Sequence, residues 1–203
     1  MVNISFIHQF SNFLTIKPII ITAGDIEDRR VADLGCGTGL MAPLLRDHVD
    51  WLEGVDLSSG MVEKARDRDL YDKLCVDDLV SHLKQAAAGD YGFYDLLISA
   101  DTLVYLGDLS PVFLAANDVS TLGALFAFSV ESLEAIGEKA GYRITSSGRF
   151  AHSSSYIRDL ALQLGWEMIK IEERVLRKNA GSNVVGWLVL IRSIREPACF
   201  YKA

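Results

Sequence analysis

Apolar positions along the chain follow two alternating rhythms. Short runs dense in aliphatic residues, "RRVADLG" (29–35), "WLEGVDL" (51–57), "KLCV" (73–76), "FYDLLISA" (93–100) and "GALFAFSV" (123–130), read as buried strands. Between them, "GLMAPLLRDHV" (39–49), "SSGMVEKARDRDL" (58–70), "DLVSHLKQAAA" (78–88) and "DLSPVFLAANDVS" (108–120) space their apolar residues as helices do. A fifth helix is predicted over 153–165, with serine available to cap its start. Two strand-like runs follow, "WEMIKIEERVL" and "VVGWLVLIRS", joined by the turn-rich "RKNAGSN".

Strand–helix units in series build a parallel sheet covered on both faces. The link between the last two strands is too short for a crossover, so they must pair antiparallel. The predicted fold class is therefore α/β: a Rossmann-like, doubly wound, seven-stranded sheet with a reversed C-terminal strand. There is no internal repeat and no low-complexity tract.

The first 28 residues break this rhythm. "MVNISFIHQFSNFLTIKPIIITAGD" predicts a short amphipathic helix around residues 3 to 14, which either packs on the domain as a lid or docks to a membrane or partner. No apolar run reaches the roughly 18 residues that span a bilayer.

Composition narrows the picture. At 203 residues and 50% apolar, the chain is large enough to bury a core without staples. A net charge of -7 argues against a nucleic-acid surface. Cys36, Cys75 and Cys199 are odd in number and far apart, which suggests neither a disulfide framework nor a metal knuckle and fits a reduced, cytoplasmic protein.

The candidate chemistry lies in "VADLGCGTG", where Gly35, Gly37 and Gly39 follow the first strand. In an open α/β sheet, ligands bind beyond the carboxyl ends of the strands, and such a turn lets a ligand lie against the main chain. The dinucleotide pattern G-x-G-x-x-G fails, because its third glycine position is Leu40. Asp33 would repel a pyrophosphate and attract an ammonium. Asp56, at the end of the second strand, is placed to accept both hydroxyls of a ribose. The ligand suggested has a ribose, a cationic end and no diphosphate, a description that S-adenosylmethionine fits.

These residues carry a family resemblance. "VADLGCGTG" is similar to the first motif of class I S-adenosylmethionine-dependent methyltransferases, and "LEGVDLSSGMVEKAR" to their second-strand motif. "CVDDLV" resembles the segment that cups adenine, and "YDLLISADTLVYLGDL" the segment beside the transferred methyl. The likeness runs from about residue 30 to 193, making 29–203 a methyltransferase domain and 1–28 an N-terminal helical segment. More narrowly, "DTLVYLGDL", "FAFSVE" and "GYRITSSGRFAHSSSYIRDL" resemble bacterial methyltransferases that follow tetratricopeptide repeats. No such repeat is present, which implies a stand-alone relative or a fragment.

The resemblance implies roles residue by residue. Gly35, Cys36 and Gly37 would lie along the methionine part of the ligand, and Asp33 would hold its ammonium directly or through water. Asp56 would bind the ribose, with Leu57 against the adenine and Met61 nearby. Asp78 would accept from the adenine amine and Leu79 would offer its backbone N–H, with Asp77 as the competing choice. Ser99 and Ala100 would touch the methionine part. One departure stands out: relatives have a Pro-Gly-Gly turn before the fifth strand, where this chain has "STLGALF", so that loop is expected to differ in shape.

Methyl transfer from a sulfonium is an in-line displacement, and a general base is needed only if the acceptor must lose a proton. Candidates for that chemistry are Asp101, Tyr105 and His152, with Tyr156 beside them; Arg143 and Arg149 either bind an anionic acceptor or are solvated. His8, His48 and His82 read as structural. Asp101 alone makes no carboxylate cluster, so no metal is expected. The activity implied is methyl transfer to an unidentified O, N or C acceptor, a small molecule or a protein side chain, with S-adenosylhomocysteine as product. The alternatives are a silent cofactor-binding module acting through a partner, or a non-methylating enzyme on this fold.

Overall fold

The computed structural model describes residues 29–89, 93–137, 141–179 and 181–195. The predicted N-terminal helix and Cys199 lie outside the described residues. Strands β1 (Arg30–Leu34), β2 (Trp51–Asp56), β3 (Lys73–Val76), β4 (Tyr94–Ser99) and β5 (Ser120–Ser132) pair in parallel in the order β3-β2-β1-β4-β5. Helices α1 (Ala42–Leu45), α2 (Ser59–Arg66), α3 (Leu79–Ala88), α4 (Ser110–Asp118) and α5 (Ser154–Gln163) connect and cover them.

Beyond β5 the chain differs from the seven-stranded expectation: among the described residues the sheet has nine strands. The two additions, β6 (Tyr142–Ile144) and β7 (Phe150–His152), are three residues each and form an antiparallel hairpin. Strands that short carry no readable alternation, and "TSSG" between them reads as loop. The long pair β8 (Trp166–Asn179) and β9 (Ser182–Ser193) is antiparallel as expected, and β9 is the reversed strand, paired against β5. Glu131 of β5 pairs with Ala151 on one edge and Gly186 on the other, and Leu125 likewise pairs with Leu96 and Arg192. The β6–β7 hairpin therefore continues the β4 edge and stands at the carboxyl end of the sheet.

The first helix is also shorter than predicted. Four residues, Ala42–Leu45, are α-helical, with proline in the first turn, and a single tighter turn follows at Arg46–His48. The Arg46 guanidinium donates to the carbonyls of Leu70 and Val49 and to Asp72, drawing the chain off the helical path. The glycine turn thus owes little to a helix dipole, which grows with aligned peptides.

Two apolar clusters flank the sheet. One holds Phe113, Phe126, Phe128 and Trp166, whose rings meet at centroid distances of 5.0–5.9 Å. The other packs Met41 and Leu45 on Val31, Leu52 and Ile98. The loop lacking Pro-Gly-Gly is absorbed as a bulge: Tyr94 pairs with Ser120 but Leu96 pairs with Leu125, and Gly123 has φ +84.

Candidate functional site

The glycine turn is fastened to β2 before it reaches open space. The amides of Gly35 and Cys36 donate to the Val55 carbonyl at 2.8 and 3.0 Å, and the Arg68 Nε donates to the Thr38 carbonyl at 2.6 Å. The glycines then serve different ends. At Gly35 (φ +78) a Cβ would collide with the Thr102 side chain, so this position is closed by the protein's own side chain. At Gly37 (φ +54) a Cβ would meet nothing within 4 Å. Gly37 is the point where the backbone is bare and approachable.

Asp56 faces that point. Its Oδ2 accepts from the Gly37 amide at 2.9 Å and its Oδ1 from the Ser58 amide at 2.8 Å. Two backbone donors fix the carboxylate and leave further lone pairs for a ligand's hydroxyls. Ser58 then caps α2 by accepting from Met61 N.

Asp33 lies one strand over and is 1% exposed. Its Oδ2 accepts from the Tyr71 hydroxyl at 2.6 Å, whereas its Oδ1 is buried with no hydrogen-bond partner among the described residues. Burial raises its pKa to about 7; the Tyr71 hydrogen bond opposes the shift, and the charge of Asp56 adds to it. A buried carboxylate with one unmet acceptor is a seat for a cation or a bound water. Burial likewise pushes the Cys36 thiol up.

The remaining predicted residues divide. Leu57 (76% exposed) and Met61 (43% exposed) are bare apolar surface after β2. Asp78 caps α3, its Oδ1 accepting from the amides of Val80 and Ser81, both at 3.0 Å. Asp77 has both oxygens engaged, by the Asp78 amide and by Gln85 Nε2. Leu79 is buried at the first turn of that helix. The Ser99 hydroxyl is fully buried and donates to the Leu34 carbonyl at 2.9 Å, so only its backbone is left for a ligand. Ala100 is half-buried beside it.

Among the candidates for acceptor chemistry, Asp101 has φ 57, a left-handed conformation that costs a non-glycine residue about 1–3 kcal/mol. It is held there by its amide donating to Ser129 Oγ at 2.9 Å and by Arg177, whose Nη1 donates to its Oδ1 at 2.5 Å. Arg177 also pairs with Glu131. Burial raises the Asp101 pKa against the opposing pull of Arg177. Tyr105 is 60% exposed and its hydroxyl accepts from Arg149 Nη2 at 3.2 Å. His152 is fully buried, donates from Nε2 to the Gly107 carbonyl at 2.9 Å and stacks on Tyr156, and burial lowers its pKa. Its ring braces the loop after β4 and does not face solvent. Tyr71, Thr102, Ser129 and Arg177 escape sequence reasoning because each acts on a partner far away in the chain.

Residues 31–121 match the family described as a methyltransferase domain. That match takes in the glycine turn and strands β1 to β4. It is 33% identical over 130 residues to malonyl-[acyl-carrier protein] O-methyltransferase of Geobacter sulfurreducens, which covers 61% of this chain and 47% of that relative. Over 126 residues it is 28% identical to ubiquinone biosynthesis O-methyltransferase of Bordetella pertussis, covering 60% and 52%. The chain thus spans about half the length of the curated relatives it matches. In fold, the chain is similar to magnesium protoporphyrin IX methyltransferase of Synechocystis with bound SAM (TM-score 0.65, 18% identity, 95% of this chain and 85% of that one). The shared feature is the Rossmann-like α/β fold. Among the described residues, no helix is long and apolar enough to cross a membrane.

Proposed function

We propose that the chain is an S-adenosylmethionine-dependent methyltransferase acting on an O, N or C acceptor, with oxygen favoured because both curated relatives are named O-methyltransferases. The observation that carries this reading is the Asp56 carboxylate, fixed by two backbone amides beside the bare Gly37. S-Adenosylmethionine, when bound, supplies a methyl already activated on its sulfonium.

Asp56 accepts from the ribose hydroxyls with the lone pairs its two amides leave over. The unmet Oδ1 of Asp33 fits the ligand's ammonium, directly or through one water. Gly37 leaves room for the chain between them, with Gly35 and Cys36 alongside. Leu57 and Met61 offer the adenine an apolar face. Asp78 as the acceptor for the adenine amine is supported by both oxygens of Asp77 being engaged, with the Leu79 N–H beside it. The backbones of Ser99 and Ala100 border the methionine part. Asp101 and Tyr105, after β4, flank the acceptor's approach. These residues align the acceptor and shield the reaction from water, which is where most of such an enzyme's rate gain arises.

The narrower likeness to methyltransferases that follow tetratricopeptide repeats, and a place in the reducing cytoplasm supported by the free thiols of Cys36 and Cys75, belong to the same proposal. A second reading, a binding module that holds the cofactor and acts through a partner, is favoured by the acceptor side: His152 is sealed and Asp101 is tied to Arg177. Incubation with S-adenosylmethionine and oxygen acceptors, an acyl-carrier-bound carboxylate and a quinol among them, separates the two. S-Adenosylhomocysteine formed with an acceptor and abolished in Asp56→Ala supports the enzyme. Tight cofactor binding with no product supports the module.

A further inference from the structure

Beneath α3, away from the edge of the sheet proposed for the cofactor, three chemically different ligand groups converge. Glu53 comes from the middle of β2, Cys75 from β3 and His82 from α3, and their candidate ligand atoms all lie within 4.8 Å of one another. Glu53 Oε1 is 3.8 Å from Cys75 Sγ and 3.1 Å from His82 Nε2. Tetrahedral zinc with bonds of about 2.0–2.3 Å holds its ligand atoms roughly 3.3–3.8 Å apart. Glu53 is three residues before Asp56 on β2, about 10 Å from the cofactor edge.

Burial gives the cluster its second mark. His82, read from the sequence as structural, is 6% exposed and Glu53 is 1% exposed. His82 Nε2 points at Glu53 Oε1 from 3.1 Å, with Cys75 Sγ on the same oxygen. Glu53 is meanwhile oriented from behind: the Tyr94 hydroxyl donates to its Oε2 at 2.8 Å, leaving Oε1 toward Cys75 and His82. Supporting bonds of this kind orient metal-ligating carboxylates. Lys73 Nζ, 2.7 Å from Glu53 Oε1, is the cation that neutralises the cluster in this structure. It is one-third exposed, and its flexible stem lets the ammonium turn toward water.

We propose that Glu53, Cys75 and His82 form a zinc site that clamps β2, β3 and α3 together. The oxygen, sulfur and nitrogen set favours zinc over magnesium or calcium. On binding, the Cys75 thiol releases its proton to solvent and its sulfur bonds the metal, the Lys73 ammonium moves aside, and water takes the fourth position.

The test uses cobalt(II) as a spectroscopic probe on the full chain after treatment with a chelator. One equivalent of cobalt should bind with thiolate-to-metal absorption in the near ultraviolet and intense tetrahedral bands in the visible. Zinc should displace it and raise the melting temperature. Cys75→Ser and His82→Gln, each checked for folding by circular dichroism, should weaken binding by more than about tenfold. Lys73→Gln should tighten it, because the competing cation is gone. Failure of the folded wild-type chain to take up one equivalent, or binding unchanged in both ligand variants, would overturn the proposal.

Discussion

The Asp56 carboxylate accepts a hydrogen bond from the amide of Gly37 at 2.9 Å, joining the end of β2 to the barest point of the glycine turn. This contact separates ligand binding from folding at two neighbouring glycines. Gly35→Ala drives a methyl into Thr102, whose hydroxyl lies 3.2 Å from the Gly35 and Ala100 carbonyls, and should lower the melting temperature sharply. Gly37→Ala costs only the left-handed strain of about 1–2 kcal/mol and places its methyl in the open space proposed for the ligand. It should fold and melt a few degrees early, yet bind S-adenosylhomocysteine at least tenfold more weakly. Thermal melts and titration on both variants check the pair.

Asp33 predicts a pH dependence. Its folded pKa of about 7 means that it is largely protonated at pH 6 and ionised at pH 8. If its charge holds the ligand's ammonium, affinity should rise through pH 7 and level off above, with about tenfold loss per unit below 7. In the absence of ligand, the folded chain holds this proton up to about pH 7 while the unfolded chain releases it near 3.8, so Asp33's contribution makes stability fall as pH rises between those values. Asp33→Asn should abolish both trends, which titration and denaturation at several pH values would show.

His152 titrates with the opposite sign. Burial holds its folded pKa below 6.5, so its contribution to stability is present above that value and lost as pH falls through it. His152→Ala should cost about 1–3 kcal/mol by freeing the Gly107 carbonyl and unstacking Tyr156. Urea unfolding of the variant should also show a weaker dependence on pH below 6.5.

The Arg177 guanidinium bridges Asp101 and Glu131 and is 8% exposed. Arg177→Met leaves two carboxylates facing each other near the acceptor side and should destabilise the chain by about 3–5 kcal/mol. At about 2–4 °C per kcal/mol for a chain of this size, the melting temperature registers the loss. Arg177→Met with Asp101→Asn and Glu131→Gln should recover most of it.

The parts of this site legible in the sequence are those whose signal is local. Asp33, the glycines and Asp56 fall at the ends of strands whose apolar runs are strong, and "KLCV" is bounded as β3 is. What escaped depends on partners distant in sequence. The Tyr71 hydroxyl reaches Asp33 across 38 residues from a loop with no periodicity. Leu176 and Arg177 are both buried because a bulge between Val175 and Arg177 breaks the alternation of β8, and no pattern of two-residue repeats announces that. The β6–β7 hairpin is stabilised by its pairing with the end of β5, and its own residues give no such signal.

Calorimetric titration with S-adenosylhomocysteine, run on the wild type and on Asp56→Ala with NAD as a control, tests the central claim most directly. Micromolar binding that is lost in the variant, with no response to NAD, is the predicted result. A folded wild-type chain that binds no S-adenosylhomocysteine, or an Asp56→Ala variant that binds it as tightly as the wild type, would contradict the assignment of the cofactor site.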